Sequence, residues 1–128
     1  MSSKPISVEL QAFIARYIQS VEQLEILCLL AENPDRAWSE SDVLKAIQSS
    51  PESVATQLQY FTREQFLSAS VEGKLRFAPG NAGQAVLVDE LVKTYRERRV
   101  AIVEMIYQKP LDTVRNFADA FRIRREKP

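Results

Sequence analysis

The spacing of apolar residues predicts helices over the first half of the chain. Ser7 and Ser20 each precede an apolar stripe, and Ser20 with Gln23 has the spacing of a capping box. The first stripe covers one broad side of a helix. The second is apolar nearly all round, which is typical of a central helix packed on several sides. The sequence therefore predicts helices that begin after Ser7 and Ser20, and residues 33–35 end the second one.

Two more helix starts follow a short extended piece at Trp38. Ser39 and Asp42 have the spacing of a second capping pattern, and the apolar positions after them predict a helix of about ten residues. Ser50 then stands at a cap position, with Pro51 at the first helical position, where proline loses no backbone partner. The chain is thus expected to form a third helix and a fourth, joined by a short connection.

The fourth predicted helix has a core face and a polar face. Val54, Leu58 and Phe61 recur at helical spacing and are expected to face the core. The other side is expected to expose side chains that can contact base edges or phosphates, with a merely solvated face as the alternative. These candidate DNA-binding residues are Ser53, Thr56, Gln57, Tyr60 and Arg63.

The spacing of apolar residues then changes to that of two short strands, at residues 66–71 and 74–78. Glu72 and Gly73 join them as a hairpin, because glycine tolerates the positive φ that such turns require. Three helices followed by a hairpin is the order of a winged helix-turn-helix, and residues 20–79 resemble that superfamily of bacterial transcriptional regulators. The resemblance implies a mainly α fold with a small β-hairpin, in which the helix before the hairpin reads DNA.

The chain is expected to have four parts. Pro110 divides the last part into two helices that would form an antiparallel hairpin, and the charged run at residues 96–99 leaves open whether the first of these helices is continuous. The parts are an N-terminal packing helix (1–19), the winged-helix domain (20–79), a linker (80–83) and a C-terminal helical region (84–128).

The terminal helices carry more apolar faces than the winged core is expected to cover. So much exposed apolar surface exceeds what soluble monomers tolerate, so a homodimer is predicted. The C-terminal pair also resembles the dimerisation helices of several winged-helix regulator families. The expected interface residues are Leu10, Phe13, Tyr17, Val88, Leu91, Tyr95, Ile102, Val114, Phe117 and Phe121.

The composition excludes several kinds of chemistry. The chain has 128 residues, one cysteine, three glycines and no histidine. Without histidine it cannot form a Ser-His-Asp or Cys-His nucleophile or a histidine-containing zinc site, and one cysteine cannot form a thiolate metal cluster. The glycines do not form a phosphate-binding loop. We therefore expect no enzyme, no metal and no cofactor, and Cys28 is interpreted as a small core residue.

Charge is distributed unevenly. Residues 1–80 carry seven Lys or Arg against ten Asp or Glu, and residues 81–128 carry ten against seven. The predicted winged-helix domain therefore lies in the acidic half of the chain. A free-standing DNA-binding domain is usually basic. Three basic residues of the winged-helix domain are expected to reach phosphates: Arg63, Lys74 and Arg76.

The sequence predicts a regulator that binds double-stranded DNA as a homodimer, with the fourth helix in the major groove and the hairpin on the flanking backbone. The alternative is an adaptor that holds a protein partner through the same surface or the C-terminal helices, without binding DNA. A third possibility is a small-molecule sensor with an apolar pocket between the winged core and the C-terminal helices. A cytoplasmic location is predicted, because no apolar run is long enough for a membrane span and residues 1–5 lack the apolar segment of a secretory signal.

Overall fold

The computed structural model describes residues 6–107 and shows six helices and one hairpin in this part of the chain. The helices are α1 (Val8–Tyr17), α2 (Val21–Ala31), α3 (Glu40–Ala46), α4 (Pro51–Arg63), α5 (Ala82–Glu97) and α6 (Arg99–Tyr107). The strands β1 (Leu67–Ala69) and β2 (Leu75–Phe77) lie between α4 and α5. The predicted order of helices and hairpin is confirmed. None of these helices combines the length and apolar character needed to cross a bilayer.

Serine hydroxyls start the first four helices, as predicted. Each hydroxyl accepts a hydrogen bond from the backbone N–H three residues further on, at 3.0 or 3.1 Å. These bonds satisfy N–H groups that a helix end otherwise leaves without an intrahelical partner. The four capping residues are Ser7, Ser20, Ser39 and Ser50.

The cap of α3 is a complete capping box. Besides the bond to the Ser39 hydroxyl, the Ser39 backbone N–H donates to Asp42 Oδ2 at 3.0 Å. That backbone bond, helped by the nearby Arg36 guanidinium, lowers the pKa of the Asp42 carboxyl. The helix has seven residues rather than the expected ten or so, because Ile47 adopts an extended conformation with φ −116° and ψ 119°.

Helix α2 is the centre of the fold, as its nearly all-round apolar sequence predicted. Leu24, Ile26 and Leu30 are fully buried. The helix contacts α4, α5 and β2, so its different sides meet different elements. Removing apolar surface from water on several sides at once is the main force that holds these elements together.

An aromatic cluster joins α1 to α4 and to the start of the hairpin. Phe66 lies between α4 and β1 and is fully buried. Its ring meets three others edge-on, with centroid distances of 5.0 to 5.8 Å, and this is a favourable arrangement of aromatic rings. The three rings belong to Phe13, Tyr17 and Phe61.

The hairpin is shorter than predicted and has an additional backbone partner. β1 and β2 pair antiparallel with Leu67 opposite Phe77, and Gly73 takes a φ of +82° in the turn between them. Trp38 pairs with Leu75 through two backbone hydrogen bonds of 2.7 and 2.8 Å. β2 therefore lies between β1 and the Trp38 backbone, which holds the wing against the α2–α3 connection.

The structure corrects the predicted linker and settles the continuity of the C-terminal helices. Helix α5 already begins at Ala82, because Asn81 caps it by accepting from the Gln84 backbone N–H at 2.8 Å. The connection between β2 and α5 is thus residues 78–81, as long as the predicted 80–83 linker but two residues earlier in the chain. Arg98 leaves the helical conformation at φ −136° and ψ 58° and separates α5 from α6. Because α5 packs against α1 and α2, these helices share the core of the winged unit.

The apolar faces assigned to a dimer interface are largely covered within the monomer. Helix α1 packs against α5 and α6, so the terminal helices serve as partners for one another. Seven of the expected interface residues are therefore covered, fully or in part, within one copy of the chain. Five are buried, namely Leu10, Phe13, Val88, Leu91 and Ile102, and two are half-buried, Tyr17 and Tyr95. Val114, Phe117 and Phe121 lie outside the described residues.

We expect Ser39→Ala to lower the free energy of unfolding by about 1 kcal/mol, because a first-turn N–H of α3 loses its partner. Ser41→Ala is the matched control, since Ser41 is exposed on the same helix and its hydroxyl bonds to none of the described residues. Its effect should stay within about 0.5 kcal/mol. Urea denaturation followed by circular dichroism measures both variants. Equal midpoints would show that the capping box does not stabilise the fold.

Candidate nucleic-acid interface

Three rows of side chains on α4 have different surroundings. Val54, Leu58 and Phe61 are fully buried in the core, as predicted. Opposite the core lies an exposed row whose members recur with each helical turn. This row is named the solvent stripe and consists of Glu52, Thr56, Gln59 and Arg63.

A third row, between the core face and the solvent stripe, is tied to neighbouring helices. Ser53 Oγ donates to the Glu22 carboxylate at 2.8 Å, and Tyr60 Oη donates to the Tyr17 carbonyl at 2.9 Å. Both partners belong to the corner between α1 and α2, at residues 17–23. The row holds α4 against this corner and is named the anchoring stripe; it consists of Ser53, Gln57 and Tyr60.

Gln57 makes the third anchoring bond, to the amide of Gln23. The Gln19 backbone N–H donates to Gln23 Oε1 at 2.7 Å, which leaves Gln23 Nε2 as the donor toward Gln57. Gln57 Oε1 accepts that bond at 2.7 Å. Gln23 is only 7% exposed, so loss of the acceptor would cost about 1–3 kcal/mol. A bidentate contact to a base contributes about 1–3 kcal/mol to binding, which is no more than the cost of breaking the Gln23–Gln57 bond. Exchanging that bond for a base contact would therefore give no net free energy.

The prediction that five polar side chains of α4 face solvent is right for Thr56 and Arg63 and wrong for the anchoring stripe. Positions beside the core face contact whichever element packs there, and nothing in the local sequence indicates that the α1–α2 corner does so. Burial, with a contribution from Glu64, also raises the pKa of the Tyr60 hydroxyl. Sequence reasoning missed Gln59, although its spacing of three from Thr56 and four from Arg63 was a usable signal.

The basic residues of the winged core differ in whether an acid neutralises them. Arg63 pairs with Glu64 at 3.9 Å. On the wing, Lys74 and Arg76 are exposed and form no ion pair with any residue between 6 and 107. Arg76 stands opposite Ser68 in the hairpin, where both side chains are exposed. The Lys74 charge also helps to lower the pKa of the nearby Asp42 carboxyl, so it is partly balanced within the fold, and Arg76 is the wing cation most available to a phosphate group.

A cavity of about 420 Å³ lies between α2 and α5, and charged residues such as Glu25, Glu32 and Arg96 stand among its mostly apolar lining. Tyr95 Oη donates to the Glu25 carboxylate at 3.1 Å and accepts from Arg99 Nη1 at 2.6 Å beside it. Cys28 also lines the cavity, and burial together with the Glu32 charge raises its pKa to about 12. The thiol thus stays protonated at neutral pH, and its core position is confirmed. In the described part of the chain, no cluster of Cys, Asp and Glu is arranged to hold a metal ion.

The architecture is similar to that of solved transcription regulators. One is MepR, a transcription regulator of the Staphylococcus aureus multidrug efflux pump MepA; it is 15% identical, with a TM-score of 0.52 over 89% of this chain and 86% of that chain. A MepR variant from a multidrug-resistant S. aureus clinical isolate is 13% identical, with a TM-score of 0.50 over 90% of this chain and 86% of that one. The likeness confirms the winged helix-turn-helix fold. No protein-family model and no curated protein matches the sequence.

We expect Gln57→Ala to destabilise the protein by about 1–3 kcal/mol, because the buried Gln23 Nε2 loses its acceptor. Gln59→Ala is the matched control, since it removes the same side chain from an exposed position on the same helix. That change should stay within about 0.5 kcal/mol. The urea midpoints of the two variants and the wild type give the comparison. Indistinguishable midpoints would contradict the anchoring role of Gln57.

Proposed function

We propose that the chain is a non-enzymatic transcription regulator that binds double-stranded DNA as a homodimer. The observation that supports this most directly is the solvent stripe of α4, which exposes Thr56 and Gln59 in a winged helix-turn-helix fold. A helix exposed along the side opposite the core can enter the major groove, whose width admits one α-helix. The β1–β2 wing then lies against the flanking DNA backbone.

The proposed contacts are of two kinds. Arg63, Lys74 and Arg76 position the protein through phosphates, which carry no sequence information themselves. Thr56 and Gln59 face the base edges, where sequence is read. The anchoring stripe, whose residues were candidates for base contacts from the sequence, orients α4 instead.

The proposed dimer uses apolar side chains that the monomer leaves exposed. Four large apolar residues on α1, α5 and α6 are 64–75% exposed; they are Val8, Val86, Val100 and Tyr107. Burial of these residues on a second copy removes apolar surface from water. A twofold interface of this kind also sets two α4 helices against two half-sites.

A protein-binding adaptor is the second candidate, and charge favours it. Between residues 6 and 80, ten acidic residues outnumber six basic ones, and Glu52 lies on the solvent stripe itself. Acidic side chains repel the phosphates whose neutralisation supplies much of the affinity for DNA. An adaptor would use the same stripe to hold a protein partner.

The double variant Lys74→Ala/Arg76→Ala should bind every duplex more weakly and with less dependence on salt. Each phosphate contact adds about 0.9 to the slope of log affinity against log salt, so the slope should fall by about 2 per head. Lys93→Ala is the control for loss of a positive charge outside the wing, because Lys93 is exposed on α5 and pairs with Asp89 at 3.0 Å. Fluorescence anisotropy of a labelled duplex at several salt concentrations measures the slopes.

Two results would count against this scheme. If the wild type binds no duplex at low salt, where electrostatic attraction is strongest, DNA binding fails and the adaptor takes its place. If the wild type binds but the double variant binds equally well, the phosphate contacts do not come from the wing. Lys93→Ala should match the wild type in either case.

We expect the full chain to be a dimer at micromolar concentration, as measured by light scattering. Val100→Lys should shift it to the monomer, because a charge at an apolar interface loses its hydration without gaining a partner. Val71→Lys is the matched control, since Val71 is a fully exposed valine on the wing, away from the terminal helices. A monomeric wild type would show that the terminal helices only close their own core.

A further inference from the structure

The geometry points to Gln59 as the residue that selects the DNA sequence, by reading the adenine of an A·T base pair in the major groove. This inference rests on the proposed binding of DNA by α4. It assigns to Gln59 the role that the sequence suggested for Gln57, a residue of the same type on the same helix.

Gln59 is the member of the solvent stripe that offers both a donor and an acceptor. Its side chain is exposed, and its amide bonds to none of the residues from 6 to 107. Thr56 Oγ1 donates its hydrogen to the Glu52 carbonyl at 2.9 Å, so only its acceptor capacity remains. The Glu52 carboxylate offers acceptors alone, and its negative charge is repelled by the phosphates that border the groove.

Arg63, the remaining member of the stripe, offers donors only and already has local partners. Its guanidinium lies 5.6 Å from the centroid of the Tyr60 ring, and its Nε is 3.9 Å from a carboxylate oxygen of Glu64. A phosphate can be added to this arrangement from the solvent side. With donors alone, Arg63 can bind a phosphate or a guanine but cannot match the adjacent donor and acceptor of adenine.

The chemistry of a free carboxamide selects adenine. In the major groove, adenine presents the N7 acceptor beside the N6 donor, which is the complement of the glutamine Nε2 donor and Oε1 acceptor. Guanine presents two acceptors at these positions, N7 and O6, so one end of the amide would face a like group. A glutamine with both ends free therefore favours an A·T pair over a G·C pair.

The anchoring stripe supplies the rigidity that such a contact requires. Two parallel hydrogen bonds to one base form only if both amide atoms arrive at hydrogen-bonding distance and angle together. The bonds of Ser53, Gln57 and Tyr60 to the α1–α2 corner fix the orientation of α4. Gln59 thus projects from a helix held by residues that do not themselves contact DNA.

The test is a binding-site selection from duplexes with a randomised central segment, performed in parallel with the full-length wild type, Gln59→Ala and Gln57→Ala. The wild type should enrich a motif with an adenine at a fixed position of each half-site. Gln59→Ala should lose the preference at that position and keep the rest of the motif. Gln57→Ala loosens the seating of α4 on the α1–α2 corner, so it should weaken binding and enrichment at all motif positions together and should not erase the preference at the adenine alone.

A second measurement acts on the DNA and does not depend on the folding of a variant. Replacement of the selected adenine by 7-deazaadenine removes the N7 acceptor while Watson–Crick pairing is retained. Wild-type affinity should fall by about twofold to tenfold, the range of one hydrogen bond, because the N6–H donor to Gln59 Oε1 remains. The affinity of Gln59→Ala should be the same for both duplexes.

The outcomes separate this inference from the proposed function. A wild type that enriches no duplex and binds none at low salt overturns both. A wild type that binds DNA while Gln59→Ala retains the full motif, or while 7-deazaadenine has no effect on affinity, overturns the inference and leaves DNA binding intact. Loss of one motif position in Gln57→Ala in place of Gln59→Ala would return base readout to the anchoring stripe.

Discussion

The buried side-chain amide of Gln23 determines how helix α4 is placed in the winged-helix domain. Gln23 lies in an apolar interior, where an amide without hydrogen-bond partners is costly, so each end of its side chain needs a fixed partner. The Gln19 backbone and the Gln57 side chain are those partners. Their positions determine how α4 lies on the α1–α2 corner, and hence which row of α4 meets solvent.

The same α1–α2 corner connects α4 to the terminal helices. Tyr17, the last residue of α1, accepts from Tyr60 through its carbonyl and meets Phe66 with its ring. Helix α1 in turn packs against α5 and α6. The position of the terminal helices and the orientation of α4 are therefore linked by direct contacts through α1. In the proposed dimer, the surface that joins two copies and the surface that meets DNA would share this framework.

The sequence predicted the features that depend on neighbouring residues, such as helix starts. It did not predict the contacts between elements that are distant in the chain. Each serine cap is local chemistry, so the starts of four helices were found, and the core face of α4 follows from its period alone. The row that includes Gln57 could not be assigned, because its surroundings depend on how α4 packs against a corner more than thirty residues away in the chain. The burial of Leu10 and Val88 was misjudged for the same reason, since these residues lie on separate terminal helices that cover one another.

The position of Cys28 has a practical consequence for spectroscopy. It is the single cysteine of the chain, it is 6% exposed, and its thiol does not ionise near neutral pH. Maleimide and other thiol reagents attack the thiolate, so the native protein is close to inert toward them. A cysteine introduced on the wing or on a terminal helix would then carry a fluorophore or spin label at one defined place, without prior removal of the native residue.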